Sequence, residues 1–242
     1  MKLKVTELSC SFDGKIVFDR LNMNAQQGEF ISILGPSGCG KSTFLNILAG
    51  VLKPDGGSVH VDDVPVEGLS SHFAYMPQQD LLMPWKTILE NVCLYGTIHH
   101  QKKQIKKQAI ANFAKFGLEG YENKYPKELS GGMRQRAAFL RTALCAADIM
   151  LLDEPFGALD VITRGEMQDW LLNIRQELNR TTILVTHDID EAMYLSDRIL
   201  IMNKNPASFN KEITLQKHDK DREWLFEQKD LYREIYYYLK NE

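Results

Sequence analysis

Over the first 30 residues apolar and polar side chains alternate around a turn signal at Asp13-Gly14, with a second at Gln27-Gly28. That period of two predicts antiparallel strands. The pattern then changes: Phe30-Ile31-Ser32-Ile33-Leu34 is a short apolar run, residues 44 to 48 begin a helix-like stretch, Pro54-Asp55-Gly56-Gly57 stops that helix, and residues 58 to 61 read as another strand. From about residue 86 to 147 helix formers dominate and glycines fall at expected helix ends such as Gly96, Gly117 and Gly120, which predicts a helical insert. Residues 149 to 152 and 182 to 185 restore short apolar strands, separated by a helix-length stretch from about residue 164 to 179. Strand, helix, strand is the alternation of a parallel sheet with crossover helices. Beyond Pro206 the chain is more polar until about Asp221; then Trp224, Leu225, Leu231, Ile235 and Leu239 recur at near-helical spacing and predict a terminal amphipathic helix. Tyr236, Tyr237 and Tyr238 cannot all share its buried face, since each residue advances a helix by about 100°. The helix is expected to cap its own domain, with a partner-binding role as the alternative.

The chain has 242 residues, 44% of them hydrophobic, enough for a real core. Its 29 basic and 32 acidic residues give a net charge of −3, which offers no global field for nucleic acid and excludes that partner class from the reading. The lysine pairs at 102-103 and 106-107 are expected to lie on a solvated helix face. No apolar stretch approaches the roughly 18 to 20 residues that span a bilayer, and MKLKVTELSCSF lacks the apolar centre of a signal peptide, so the expectation is a cytosolic chain. Cys10, Cys39, Cys93 and Cys145 are scattered without paired spacing, which argues against disulfides and a zinc site.

The chemistry begins at Gly35-Pro36-Ser37-Gly38-Cys39-Gly40-Lys41-Ser42-Thr43, which fits the phosphate-loop pattern GxxxxGK[ST] between a predicted strand and a predicted helix. The glycines let backbone N–H groups turn toward phosphate oxygens, the helix N-terminus adds partial positive charge, and Lys41 adds a full one. Ser42 is placed to ligate magnesium. A thiol at a helix start beside a lysine is expected to have a lowered pKa, so Cys39 is expected to alkylate readily and to be shielded by ATP; the alternative is a small residue that merely fits the loop. Residues 149 to 152 deliver Asp153 and Glu154 to the C-terminal edge of a parallel sheet, where α/β ligand sites form. Asp153 suits the magnesium shell and Glu154 is free to polarise water for attack on the γ-phosphorus.

In Leu129-Ser130-Gly131-Gly132-Met133-Arg134-Gln135-Arg136 a serine and two glycines precede a helical stretch, building a second anion-binding helix start. Here the chain resembles the ATP-binding cassette ATPases, whose signature is LSGGQ with a variable last position, taken by Met133. The resemblance spans about residues 3 to 204. It implies that Phe12 stacks on adenine, that Gln78 senses magnesium and the attacking water, that Asp160 in GALD lies on the loop across a dimer seam, and that His187 in THD is the switch histidine at the γ-phosphate. It likewise implies that Ser130, Gly131 and Gly132 meet the nucleotide held by another subunit. Pro77 departs from the family, which commonly has an aromatic before the glutamine, and leaves the path of that loop less defined.

The resemblance implies an α/β fold: a phosphate-loop NTPase core with a mostly parallel sheet, an N-terminal antiparallel β subdomain and an inserted α-helical subdomain at about residues 86–147. The ATPase domain is expected over 1–205 and a C-terminal extension over 206–242. LLMPW, ELSGGMRQRAAFLRTAL, DEPFGALDVITR and THDIDEA look like the ATPases of nitrate, sulfonate, taurine and thiamine-precursor importers. That implies ATP and Mg2+ as ligands, an ATP-dependent homodimer, integral membrane permease subunits as partners, a solute-binding protein acting indirectly, and a peripheral position on the inner face of the cell membrane. An ATPase of an exporter, lipoprotein-release or cell-division complex is the competing reading. A regulator without turnover is disfavoured by the presence of Glu154 and His187.

Overall fold

The computed structural model describes residues 1–240 apart from 158, 205 and 216–219, with only the backbone of 176–178. Strands β1 (Leu3–Phe12) and β2 (Lys15–Ala25) form an antiparallel hairpin. Asp13 (φ 48) and Gly14 (φ 76) make its two-residue turn, the left-handed pair whose twist suits a tight hairpin. Next come β3 (Phe30–Leu34), α1 (Lys41–Leu48), β4 (Gly56–Val61), β5 (Val64–Pro65) and β6 (Phe73–Met76). Helices α2 (Ile88–Val92), α3 (Leu94–Ile98), α4 (Lys102–Phe113) and α5 (Gly131–Ala143) precede β7 (Ile149–Asp153). Then follow α6 (Val161–Leu178), β8 (Thr181–Thr186), α7 (Ile189–Leu195) and β9 (Arg198–Met202), and after them β10 (Phe209–Thr214), α8 (Arg222–Glu227) and α9 (Lys229–Lys240).

Two sheets result. One is antiparallel, in the order β2-β1-β4-β5; the other runs β10-β9-β3-β8-β7-β6, parallel from β9 to β6 with β10 antiparallel at its edge. The parallel strands are buried on both faces, which is why they read as unbroken apolar runs. Ile31, Ile33, Ile149, Leu151, Ile183 and Val185 point to one face, packed with Phe44, Leu45 and Leu48 of α1 and the antiparallel sheet. Phe30, Leu34, Met150, Leu152, Leu184 and Ile199 point to the other, under α5, α6 and α7 and the helical insert. The sheet is thereby clamped between two cores, and its strand ends are held rigidly enough to present side chains.

Several boundaries differ from the sequence reading. Helix α1 stops at Leu48, ahead of Pro54, and Gly50 (φ 73) turns the chain there. Gly96 sits within α3 because a Cβ would lie 2.6 Å from Cβ of Ile105, so the glycine lets α3 lie against α4. Helix α6 begins at Val161 because Asp160 caps it, accepting from the N–H groups of Ile162 and Thr163 at 3.1 Å. The tail beyond Pro206 holds a strand, β10, that adds to the main sheet, and two helices in place of one. Lysines 102, 103, 106 and 107 are exposed on α4 while Ile105, Ala109 and Phe113 face the core, as expected of a solvated face. Among the described residues no helix is long and apolar enough to cross a membrane.

Candidate active site

The loop from Gly35 to Gly40 joins the buried β3 to α1, and its geometry follows from its glycines. Gly38 (φ 77) and Gly40 (φ 110) occupy left-handed conformations, and a Cβ on Gly35 would lie 2.5 Å from the Met202 carbonyl oxygen. Pro36 and Gly40 are half-buried, and Ser37 and Gly38 are exposed on the rim. Inside the loop Lys41, 5% exposed, donates from Nζ to the carbonyls of Gly35 at 2.7 Å and Pro36 at 3.0 Å. A cation is thus enclosed by a ring of backbone with its ammonium poised at the loop's mouth. Helix α1 has no side-chain cap and no acidic residue in its first turn, so its free N–H groups remain available to an anion.

Cys39 departs from expectation. Its side chain is 3% exposed, and burial pushes the thiol pKa up, outweighing the nearby Lys41, whose Nζ is 4.0 Å away. Its backbone N–H turns back to the Pro36 carbonyl at 3.3 Å, so the residue packs inward as a small apolar group. The expected reactive thiolate is overturned in favour of the packing alternative.

Ser42 donates to Oδ1 of Asp153 at 3.0 Å, and Tyr75 donates to Oδ2 at 3.3 Å. Burial raises the Asp153 pKa, opposed by those two hydroxyls. One hydroxyl and one carboxylate beside a phosphate loop form the hard oxygen set that suits magnesium, which takes few protein ligands and completes its shell with phosphates and water. Among the described residues no group of three or more His, Cys, Asp or Glu side chains has the arrangement to hold a metal ion by itself.

Glu154 leaves the end of β7 in a left-handed conformation (φ 43), and its N–H bonds to the Val185 carbonyl at 2.9 Å. That strain points its carboxylate out of the sheet edge. Gln78, two residues past β6, donates from Nε2 to Glu154 Oε2 at 3.2 Å, and His187, just past β8, brings Nδ1 to the same oxygen at 3.3 Å. The ends of three parallel strands therefore converge on one carboxylate oxygen, Oε2 of Glu154, and neither Gln78 nor His187 engages Oε1.

The remaining candidates lie away from this cluster. Phe12 is 47% exposed at the end of β1 beside the hairpin turn. Thr43 is half-buried in the first turn of α1. Ser130 caps α5, accepting from the Met133 N–H at 3.3 Å. Gly131 is exposed; Gly132 is buried, and a Cβ there would lie 2.5 Å from Cγ2 of Thr163 on α6. Asp160 is exposed at the start of α6, and its backbone N–H donors hold its pKa below the usual carboxylate range.

Contacts that no motif revealed tie these pieces together. Arg134 of α5 donates to Asp80 Oδ2 at 3.1 Å, and Arg141 donates to the carbonyls of Asp80 at 2.7 Å and Leu81 at 2.9 Å, so the signature helix grips the loop that follows Gln78. Asn91, fully buried, donates to the carbonyls of Met83, Lys86 and Thr87 and fixes the next bend. Arg164 bridges the Leu159 carbonyl at 3.2 Å and Asp188 at 3.0 Å, joining the Asp160 loop to the His187 loop.

A family model described as ABC transporter matches residues 18–157. The formylaminopyrimidine import ATP-binding protein ThiZ of Halalkalibacterium halodurans is 46% identical over 78% of this chain and 74% of its own length. The aliphatic sulfonates import ATP-binding protein SsuB of Bacillus cereus is 40% identical over 88% of this chain and 86% of its own. Among solved structures, the bacterial ABC transporter cassette MJ0796 in its dimeric form aligns over 89% of this chain and all of that one, with a TM-score of 0.76 and 30% identity. The same cassette is known as a post-hydrolysis dimer bound to ADP and Pi.

Proposed function

Because the chain belongs to the ABC transporter family of ATP-binding proteins, we propose that this ATPase is the energy-supplying subunit of an importer, with residues 1–205 as the ATPase unit and 206–242 as an extension. The observation that carries the hydrolytic reading is the convergence of Gln78, Glu154 and His187 beside the Lys41 loop. ATP phosphates would lie over the free N–H groups of α1, with Lys41 turning from its two carbonyls to the β- and γ-phosphates. Phe12 would stack on the adenine. Ser42 and Asp153, with Gln78 nearby, would hold Mg2+, which when bound neutralises phosphate charge.

Glu154 accepts the proton of the attacking water at Oε1, because Gln78 and His187 both engage Oε2. With Nδ1 turned to Glu154, His187 has Nε2 left to reach the γ-phosphate. Ser130 and Asp160, on helix starts remote in sequence from the phosphate loop, are read as the surface that meets the nucleotide of a second copy. Hydrolysis then removes the γ-phosphate contacts that join the copies and loosens the seam. Membrane-spanning permease subunits would receive this motion at the exposed Leu81 and Trp85, between the Gln78 loop and the helical insert. The names of the relatives ThiZ and SsuB support a small nitrogen- or sulfur-bearing organic solute as cargo, handed over by a solute-binding protein.

The test is affinity purification of the Glu154→Gln chain with ATP from its native host, with identification of the membrane proteins that accompany it. Recovery of a permease and a solute-binding protein is expected. Recovery of an exporter-like protein, or of soluble partners alone, overturns import and leaves the ATPase intact.

A further inference from the structure

Behind Glu154 lies a cavity of about 10 Å³, walled by Glu154, Phe156, Arg164, Thr186, His187 and Glu191. That volume matches one water-sized sphere. Two of its polar atoms, Glu191 Oε1 and Arg164 Nε, are buried without a hydrogen-bond partner. Glu191 is 3% exposed, and a buried polar atom left unsatisfied is costly, so a carboxyl oxygen and a guanidinium N–H on the walls of one water-sized space define a built water site. Its other oxygen, Oε2, is engaged by the Thr186 hydroxyl, and Thr186 Oγ1 accepts from the N–H of Asp188 at 3.0 Å. Asp188 in turn caps α7 by accepting from the Glu191 N–H at 3.0 Å and pairs with Arg164. Thr186 and Asp188, on either side of His187, are therefore held by a chain of bonds that closes on Glu191.

We propose that Glu191 is a positioning residue for ATP hydrolysis: with Arg164 it holds one internal water against the rear of Glu154 and sets the His187 loop for attack. The inference rests on Glu154 being the hydrolytic base. Burial favours the neutral form of a carboxyl so close to a catalytic carboxylate. Burial pushes its pKa up to about 8; the Thr186 hydroxyl and Arg164 oppose the shift, while Asp188 and Glu154 add to it. The charged groups that face it are Asp188 on its own helix, Arg164 from α6 and Glu154 from the end of β7, with the titratable His187 on the same cavity wall. When Glu191 ionises, a second anion stands behind Glu154 and repels it from its place.

The experiment measures kcat and KM for ATP from about pH 6.5 to about pH 9.5 in the unaltered chain, Glu191→Gln, Glu191→Ala and Glu154→Gln. Glu191→Ala is expected to lower kcat about tenfold to a hundredfold with KM nearly unchanged, the signature of misplaced groups. Glu191→Gln is expected to recover most of that loss at neutral pH and to lack the alkaline decline of the unaltered chain. A Glu191→Gln profile that falls with pH as the unaltered one does overturns the inference, as does full activity in Glu191→Ala. Should Glu191→Ala fail to fold, the Glu191→Gln profile decides alone. Inactive Glu154→Gln alongside unaffected Glu191 variants overturns this inference only, whereas active Glu154→Gln overturns the base assignment and the inference with it.

Discussion

A single methyl group separates the two glycines of the signature segment. At Gly132 a Cβ would lie 2.5 Å from Cγ2 of Thr163, whereas at Gly131 the nearest atoms are 3.9 Å away. Gly132→Ala is expected to cost about 1 to 3 kcal/mol of stability by overpacking α5 against α6, and Gly131→Ala less than about 0.5 kcal/mol, read from denaturant midpoints. Equal costs would show that the close approach does not bear on the native state. The same residue scale bears on Cys39. Its identity in the loop was legible, but its reactivity depended on burial by Gly35 and its surroundings, which no motif reports. In the native chain Cys145, the one cysteine that is not fully buried, is expected to react with a thiol reagent ahead of Cys39, by mass spectrometry of partly labelled protein. Faster labelling of Cys39 would restore the activated thiolate.

At the scale of elements, legibility tracked burial. The runs that became β3, β7 and β8 could be read because both faces of each are covered, so apolar residues follow without interruption. Strand β10 escaped notice because it is an edge strand whose only apolar residues are Phe209 and Ile213. The tail reads as one helix because its apolar spacing is nearly helical, yet ten residues separate Leu225 from Ile235, and a continuous helix would set them about 80° apart. The break at Gln228 re-phases the chain, and both side chains reach the core. The motif residues were legible because each motif is contiguous; Arg164, Glu191 and the grip of Arg134 and Arg141 on the Gln78 loop join separate elements and leave no local pattern. Lys220 anchors this tail, donating to the carbonyls of Met193 at 2.8 Å and Ser196 at the end of α7, and lying 5.1 Å from the Trp224 ring centroid. Burial pushes its pKa down to about 8 from the ordinary 10.5, so between those values the unfolded chain binds more protons than the folded one. Folding therefore gains stability as pH rises through that window, and the penalty for burying the charge is fully present below it. Relative to Lys220→Met, the unaltered chain is expected to gain stability between about pH 8 and pH 10.5, measured by urea midpoints; a constant difference would refute the buried charge.

At the scale of the whole molecule, the phosphate loop and the signature segment occupy different parts of one chain, and each supplies only part of a nucleotide's surroundings. Lys41 and the bare start of α1 offer a cation and free N–H groups, whereas the start of α5 is already capped by Ser130 and offers its hydroxyl and exposed Gly131 outward. A second copy facing the first in the opposite sense would complete two sites at once, a closed two-fold arrangement that uses each surface once. If ATP joins the copies, blocking its hydrolysis should preserve the assembly and blocking the signature surface should abolish it. Glu154→Gln with ATP is expected to elute as a dimer in size-exclusion chromatography and as a monomer without nucleotide. Adding Ser130→Arg is expected to keep the chain monomeric while leaving ATP binding near its former affinity, because Ser130 makes no part of its own chain's phosphate loop. Dimers that persist in the double variant would place the seam elsewhere, and loss of ATP binding would mean that Ser130 serves the site of its own subunit.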